Sequence, residues 1–283
     1  MSRQDRKKRQ KKIREVSREV DARGLDAEPN LIHIAAATHK LLGILGNKNL
    51  PSRSSAATKY LYGLYEKSLH RAPGSENLAC EKGCSYCCHL FVSASAPQVF
   101  SIANYIRKNC TDVDAEIERI CAVEKTTRGL DPEERRAGHH PCTLLVDGQC
   151  ATYPVRPVIC RMCCSLSLAA CEKFWDGKAD VGDVPMPDYV VPLRKNYDQA
   201  LWAALHNYDL PPYGYDLNHA LLAALENPNA EEEWFQGADV FKGVARDKSE
   251  IENPFPSEIE KLFWEVILSL SRGETPPPNP FGA

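Results

Sequence analysis

The chain has 283 residues, 43% hydrophobic and 26% charged, ordinary values for a globular protein and enough for one large domain or a core with extensions. A net charge of −3 excludes a global electrostatic case for a nucleic-acid or membrane partner, although residues 1–14 carry +7 and the remainder −10. No apolar stretch follows the basic start, so it is not a secretory signal; the longest uncharged run, 83–106, holds several serines, Gln98, Asn104 and Pro97, which a bilayer core does not tolerate cheaply. The chain reads as soluble and cytoplasmic.

Residues 1–28 have too few apolar positions to bury a face and read as a solvated or disordered basic segment. Two helices are expected over 29–74. Asn30 caps the first, LIHIAAATHKLLGIL, which ends near Gly46. The second opens at Ser52 or Ser54, places Ala57, Tyr60, Leu61, Leu64, Tyr65 and Leu69 at helical spacing, and stops at Pro73-Gly74. His70 on it reads as solvent-facing.

A cysteine-rich domain is expected over 75–175. Pro97 fits the first turn of a helix running to about Asn109, and Asp112 or Asp114 caps another to about Thr127. Residues 139–160 read as irregular, with a short strand around Thr143–Val146 turned at Asp147-Gly148. A helix opened by Pro157 spans Arg156 to Trp175. Residues 176–272 are expected to form a C-terminal helical cover. Within it, 180–195 reads as a proline-rich linker, with helices near 197–208, from Asp216 to Glu226, and from Ser257 to Ser271; Glu231–Glu233 reads as a solvated face. The Pro-rich 273–283 reads as an extended tail. The fold class is therefore mainly α, a helical domain around an irregular cysteine-rich centre.

All twelve cysteines lie between Cys80 and Cys171. Without an export signal, metal ligation is a better reading of this density than a disulfide framework. The first group is Cys80, Cys84, Cys87 and Cys88; the second is Cys142, Cys150, Cys160, Cys163 and Cys164, followed by Cys171. Thiolates two or three residues apart can converge on one ion, and Gly83 supplies backbone freedom for the turn before Cys84. Cys110 and Cys121, alone on predicted helices, read as small buried hydrophobes. His89 and His139-His140 lie near the groups, so a mixed Cys/His zinc site is chemically sensible, but the abundance of thiols ranks the histidines behind them.

The strings CEKGCSYCC at 80–88, PC at 141–142 and CATYPVRPVICR at 150–161 resemble the YkgJ-type cysteine-cluster family, described as a zinc- or iron-chelating domain with a CxxCxxCC motif. The resemblance spans about 78–175. It implies Cys80, Cys84, Cys87, Cys88, Cys142, Cys150 and Cys160 as the metal-binding set, with Tyr153, Arg156, Pro157 and Arg161 as support. The first spacing, Cys80-x3-Cys84, is one residue longer than the name motif, and Cys163, Cys164 and Cys171 lie beyond it. Seven thiolates exceed the four that one zinc takes. They can hold an iron–sulfur cluster such as a 4Fe-4S cluster, two metals, or one metal beside spare thiols. Several thiolates in one place need cationic relief, which Arg156 and Arg161 can supply; Tyr153 reads equally as a core aromatic.

Three other readings compete. Cys80-x3-Cys84-x2-Cys87 also matches the spacing of radical S-adenosylmethionine enzymes, whose motif follows the first of many alternating strands; here the preceding segment is helical in pattern. Some relatives of the cysteine-cluster family are described as lysine N-methylases, which implies an iron–sulfur-dependent or protein-modifying enzyme, although no glycine-rich cofactor loop of the GxGxxG kind is present. The basic arm 1–14 offers nucleic-acid binding but carries no aromatics. No substrate and no protein partner follow from the sequence.

Overall fold

The computed structural model describes Lys7, Lys11 and residues 31–72, 75–247 and 258–274. The rest of the basic segment 1–28, the Asn30 cap, the Pro73-Gly74 stop, Ser257 and 275–283 of the tail lie outside the described residues. The protein is mainly α. Its helices are α1 (Leu31–Leu45), α2 (Arg53–Arg71), α3 (Ala96–Asn109), α4 (Val113–Thr127), α5 (Pro132–Ala137) and α6 (Val158–Met162). They continue with α7 (Leu168–Trp175), α8 (Val190–His206), α9 (Leu217–Glu226), α10 (Ala230–Phe235) and α11 (Glu258–Arg272). Strand β1 (Ser93–Ser95) pairs antiparallel with β4 (Gly214–Asp216), and β2 (Leu145–Val146) with β3 (Gln149–Cys150).

The chain divides into two compact units, one of 1–50, 195–212 and 248–283 and one of 51–194 and 213–247, so the segment 176–272 is shared between them. In the first unit α1 packs along α11, burying Leu31, Ile34, Leu41 and Leu45 with Trp264, Ile267 and Leu268. Thr38 Oγ1 donates to Ala200 O at 3.3 Å and Trp264 Nε1 to Gln199 Oε1 at 2.6 Å, which pairs these two polar groups inside the packing.

The second unit carries every cysteine. Helix α2 is capped by Ser52, whose Oγ accepts from Ser55 N at 2.9 Å. It buries Ala57, Leu61 and Tyr65 as expected, together with Ser54, Thr58 and Tyr62. Thr58 returns its hydroxyl to Ser54 O at 3.0 Å, so that polar side chain sits in the interface already paired. The carboxylate of Glu231, expected in a solvated face, instead accepts from Ser52 Oγ, Ser54 N and Asn104 Nδ2 at 2.9 Å each, tying α10 to α2 and α3.

Two further expectations change. The helix expected from Arg156 to Trp175 is two helices, because Ser165 lies between them with its backbone engaged elsewhere: Ala79 N donates to Ser165 O at 2.8 Å and Ser165 N to Cys80 Sγ at 3.2 Å. Ser167 then caps α7 by accepting from Ala170 N at 3.2 Å. The linker expected over 180–195 gives way at Val190 to α8, whose Pro192 falls in the first turn, where an N–H has no helical partner to lose. The β2–β3 hairpin turns at Asp147 (φ 49°) and Gly148 (φ 73°), the left-handed pair that a two-residue turn of this hand requires.

Antiparallel β1–β4 pairing sets Asp216 opposite Ser93, and Asp216 also caps α9 by accepting from Asn218 N at 3.1 Å. Its carboxylate receives Arg135 of α5 at 3.2 and 2.8 Å, both side chains out of water. Asn218 beside it accepts from Thr143 N at 3.0 Å and donates to Pro141 O at 3.5 Å, which holds the chain on either side of Cys142. Arg135→Ala strands the Asp216 charge and is expected to lower stability by about 3–5 kcal/mol in denaturant unfolding. Lys178→Ala, which breaks the exposed pair with Asp176, is expected to cost less than about 1 kcal/mol; equal losses would contradict this account.

Candidate functional site

Both cysteine groups fall in the second unit, and the backbone brings them together in two places. After α2, Gly83 adopts φ 101°, a left-handed turn that suits glycine, and Cys84 follows it; a short 3-10 turn over Tyr86–His89 then carries Cys87 and Cys88. Cys142 N donates to Cys88 O at 2.7 Å, so the second group joins the first through main chain. Cys80 joins it again at Ser165 N, and its S–H lies 3.9 Å from Cys163 O. Cys150 stands on β3, and Cys160 on α6, the helix that Pro157 precedes as cap. Cys171 stands on α7.

Six of the ten sulfurs of the two groups line one cleft. They are Cys80, Cys84, Cys87, Cys163, Cys164 and Cys171, and the cleft holds about 690 Å3, including the space open to solvent. Its other walls include Trp175, Phe174, Val184 and Met186. Cys88, Cys142, Cys150 and Cys160 are not on that wall; Cys142 is buried, and Cys160 has Cys142, Cys87 and Cys150 as electrostatic neighbours. Cys87 shares the cleft wall with Cys163, and its ionisation is linked to Cys163 and Cys88.

Those two neighbours lower the Cys87 thiol well below the ordinary range, with help from the Arg156 charge and against the effect of burial. The same linkage raises Cys88 and Cys163, whose burial adds to it. Burial is the main cause elsewhere: it pushes Cys142 up to about 12, Cys164 to about 11, and Cys80 and Cys160 upward. Such thiols ionise together only against compensating positive charge, the condition a thiophilic cation meets.

The two arginines expected as support differ in placement. Arg156 stacks over Tyr153 at 3.6 Å, donates to Tyr153 O at 3.0 Å, and its charge reaches Cys87 and Cys160. Arg161 donates to Glu66 and to the carbonyls of Pro154 (2.6 Å) and Arg156 (3.0 Å), and lies over Tyr62. It braces the loop that carries Arg156. Cys110 contacts Asp112 O at 3.2 Å and Cys121 stands on α4; neither lines the cleft.

Several site residues escaped the sequence reading. Trp175 packs edge-on against His139 (3.8 Å), His89 (4.5 Å) and Tyr86 (5.8 Å), closing one side of the cleft. His89 Nδ1 donates to His139 O at 2.8 Å, so these histidines are tied to each other and to an indole ring. Arg136, also on the cleft, donates to Phe174 O at 3.1 Å and links α5 to α7. The Asp131-Pro132-Glu133-Glu134 string that opens α5 was the available signal, since Asp131 and Glu134 form a capping box.

Among the described residues, no group of three or more His, Cys, Asp and Glu side chains stands in the geometry of a metal-ion site. The donor chemistry nevertheless suits a thiophilic metal: soft sulfur donors from both groups, mostly half-buried with Cys142 and Cys164 buried, and an adjacent arginine. Compared with known proteins, the chain matches no family model, no curated protein and no solved structure. Among the described residues no helix is long and apolar enough to cross a membrane.

Exposure ranks the thiols for chemistry from outside, with Cys80 and Cys84 exposed and Cys142 buried. In metal-free protein, iodoacetamide is expected to label Cys80 and Cys84 at least about tenfold faster than Cys142 and Cys160. Peptide mass spectrometry follows the order, and early labelling of Cys142 would contradict the burial described.

Proposed function

We propose that this protein binds a thiophilic metal through cysteines of both groups, as an iron–sulfur cluster or as zinc. The observation that carries the reading is the meeting of the two halves of the cysteine pattern: Cys142 N donates to Cys88 O at 2.7 Å, Ser165 N donates to Cys80 Sγ, and Cys80, Cys84 and Cys87 share one cleft wall with Cys163, Cys164 and Cys171. The resemblance to cysteine-cluster chelating domains supports the same reading from the sequence. The cysteines that would hold the metal are Cys87, Cys88, Cys142, Cys150 and Cys160, with Cys80 and Cys84 of the first group. Arg156 moderates their charge.

Ligand number favours iron–sulfur over a single zinc, which takes four donors. An iron–sulfur cluster would supply one-electron chemistry, whereas zinc in an all-sulfur shell would serve the fold. All cysteines are free thiols, as a reducing compartment such as the cytoplasm requires. The chain's own contribution is to gather the sulfurs, exclude water from Cys142, and place one guanidinium beside them.

Protein purified without oxygen is expected to be brown and to contain iron with acid-labile sulfide. Colourless protein carrying stoichiometric zinc and no sulfide would replace the cluster with zinc, and protein without metal would overturn the reading. Cys160→Ser is expected to lower the metal content by half or more, while Cys110→Ser leaves it unchanged.

A further inference from the structure

The cleft has an apolar edge that thiol chemistry does not explain. Among the described residues, the large apolar side chains left exposed are Leu166, Leu168, Val181, Met186, Val191 and Tyr208, and all but Tyr208 fall between 166 and 191. Exposed apolar residues scattered singly need no explanation, but these border one cleft, with Val181 and Met186 on its wall. Leu166 N donates to Pro185 O at 2.8 Å, which sets Leu166 beside the Val184–Met186 stretch of that wall. The 3-10 turn Val181–Asp183 packs against α7, which begins at exposed Leu168 and carries Cys171, Phe174 and Trp175 of the cleft. The edge is also acidic. Residues 166–191 hold Glu172, Asp176, Asp180, Asp183 and Asp188, all exposed, against Lys173 and Lys178, a local charge of −3. Lys178 is already bonded to Asp176, and Arg136 of the cleft wall is committed to Glu133 and to Phe174 O.

We propose that the cleft and its edge form a docking surface for a segment of another protein that carries apolar side chains between basic ones. The apolar side chains enter the cleft against Trp175, Val181 and Met186, and the basic ones meet Asp180, Asp183 and Asp188. Two features favour a protein segment over a small ligand. The cleft volume of about 690 Å3, part of it open to solvent, falls in the range of ligand pockets. Leu166 and Leu168, however, are exposed outside its wall, so the apolar surface runs past what an enclosed small molecule would cover. The carboxylates lie along the edge and none is on the cleft wall, the arrangement of a polar rim around an apolar centre. The surface requires no metal, and its occupant covers the exposed thiols of Cys80 and Cys84.

The test uses the full-length protein and two short fluorescent peptides, one alternating leucine with lysine and the other leucine with glutamate. Anisotropy is expected to show the lysine peptide binding at least about tenfold more tightly, with the difference shrinking as salt screens the rim. Bound lysine peptide is expected to slow iodoacetamide labelling of Cys80 and Cys84 and to leave Cys110 unchanged. Val181→Ser/Met186→Ser is expected to weaken binding by about tenfold. Both side chains stand in solvent, Val181 with 67% exposure, so the fold does not rest on them. Asp180→Asn/Asp183→Asn is expected to reduce the preference for lysine while keeping the turn, because an asparagine oxygen can still accept from the N–H of residue 180, as Asp183 does at 2.8 Å. Failure of both peptides to bind, equal binding of the two, binding that survives Val181→Ser/Met186→Ser unchanged, or no slowing at Cys84 would each overturn the proposal. Self-association that grows with protein concentration and is lost in Val181→Ser/Met186→Ser would replace the partner with a second copy of this chain. Metal content is measured on the same samples, and its absence would end the metal reading while leaving this surface standing.

Discussion

Arg135 and Asp216 meet with almost no water around either, and much of the second unit is arranged so that they can. Taking a guanidinium and a carboxylate out of water costs several kcal/mol per ion before their attraction offsets it, so further hydrogen bonds to the pair matter, although Arg135 Nε has none. Arg135 also donates to Thr127 O at the end of α4, and Asp216 receives Asn218 N as well as the guanidinium. Asn218 passes the arrangement on, accepting from the Thr143 main chain and donating to Thr127 Oγ1. Four elements, α4, α5, β4 and α9, thereby hold the peptide that carries Cys142 against the turn that carries Cys88. A hydrophobic replacement could be as stable, but would not specify that register.

Charge is the second constraint. Thiols gathered this closely resist shared ionisation, and burial raises most of them further. The charge of Arg156 acts on Cys87 and Cys160, and it is held by its own neighbours: Tyr153 beneath it, and Arg161 bonded to its carbonyl. One arginine therefore acts on sulfur while the other, five residues along, acts on backbone. The same residue type in the same motif serves two purposes, and only the fold separates them.

Much of the helical frame was legible because its signals are local. Ser52, Asp112 and Asp216 cap the helices they were expected to cap, each with a side-chain oxygen on a backbone N–H, and the hairpin turns at Asp147-Gly148. What was hidden depends on partners far along the chain. Periodicity over 156–175 is helical throughout, and nothing within it reveals that Cys80 will occupy Ser165 N. Glu231 looks like a solvated charge until Ser52, Ser54 and Asn104 are brought to it. The cysteine spacing identified which thiols are close in sequence; it could not tell which line the cleft, because Cys87 does and Cys88, next to it in the chain, does not. Trp175 carries no motif and gained its role from the two histidines beside it.

The β1–β4 pairing has a consequence in time. Strand β1 emerges from synthesis well before β4, and Arg135 precedes its partner Asp216 by 81 positions. Closing so long a loop is entropically slow compared with forming the local helices. All the cysteines are therefore translated before the strand that locks Cys142 in place exists, so the nascent chain passes through an interval in which its thiols are present but not yet organised. During that interval the fold does not yet shield those sulfurs from oxidation.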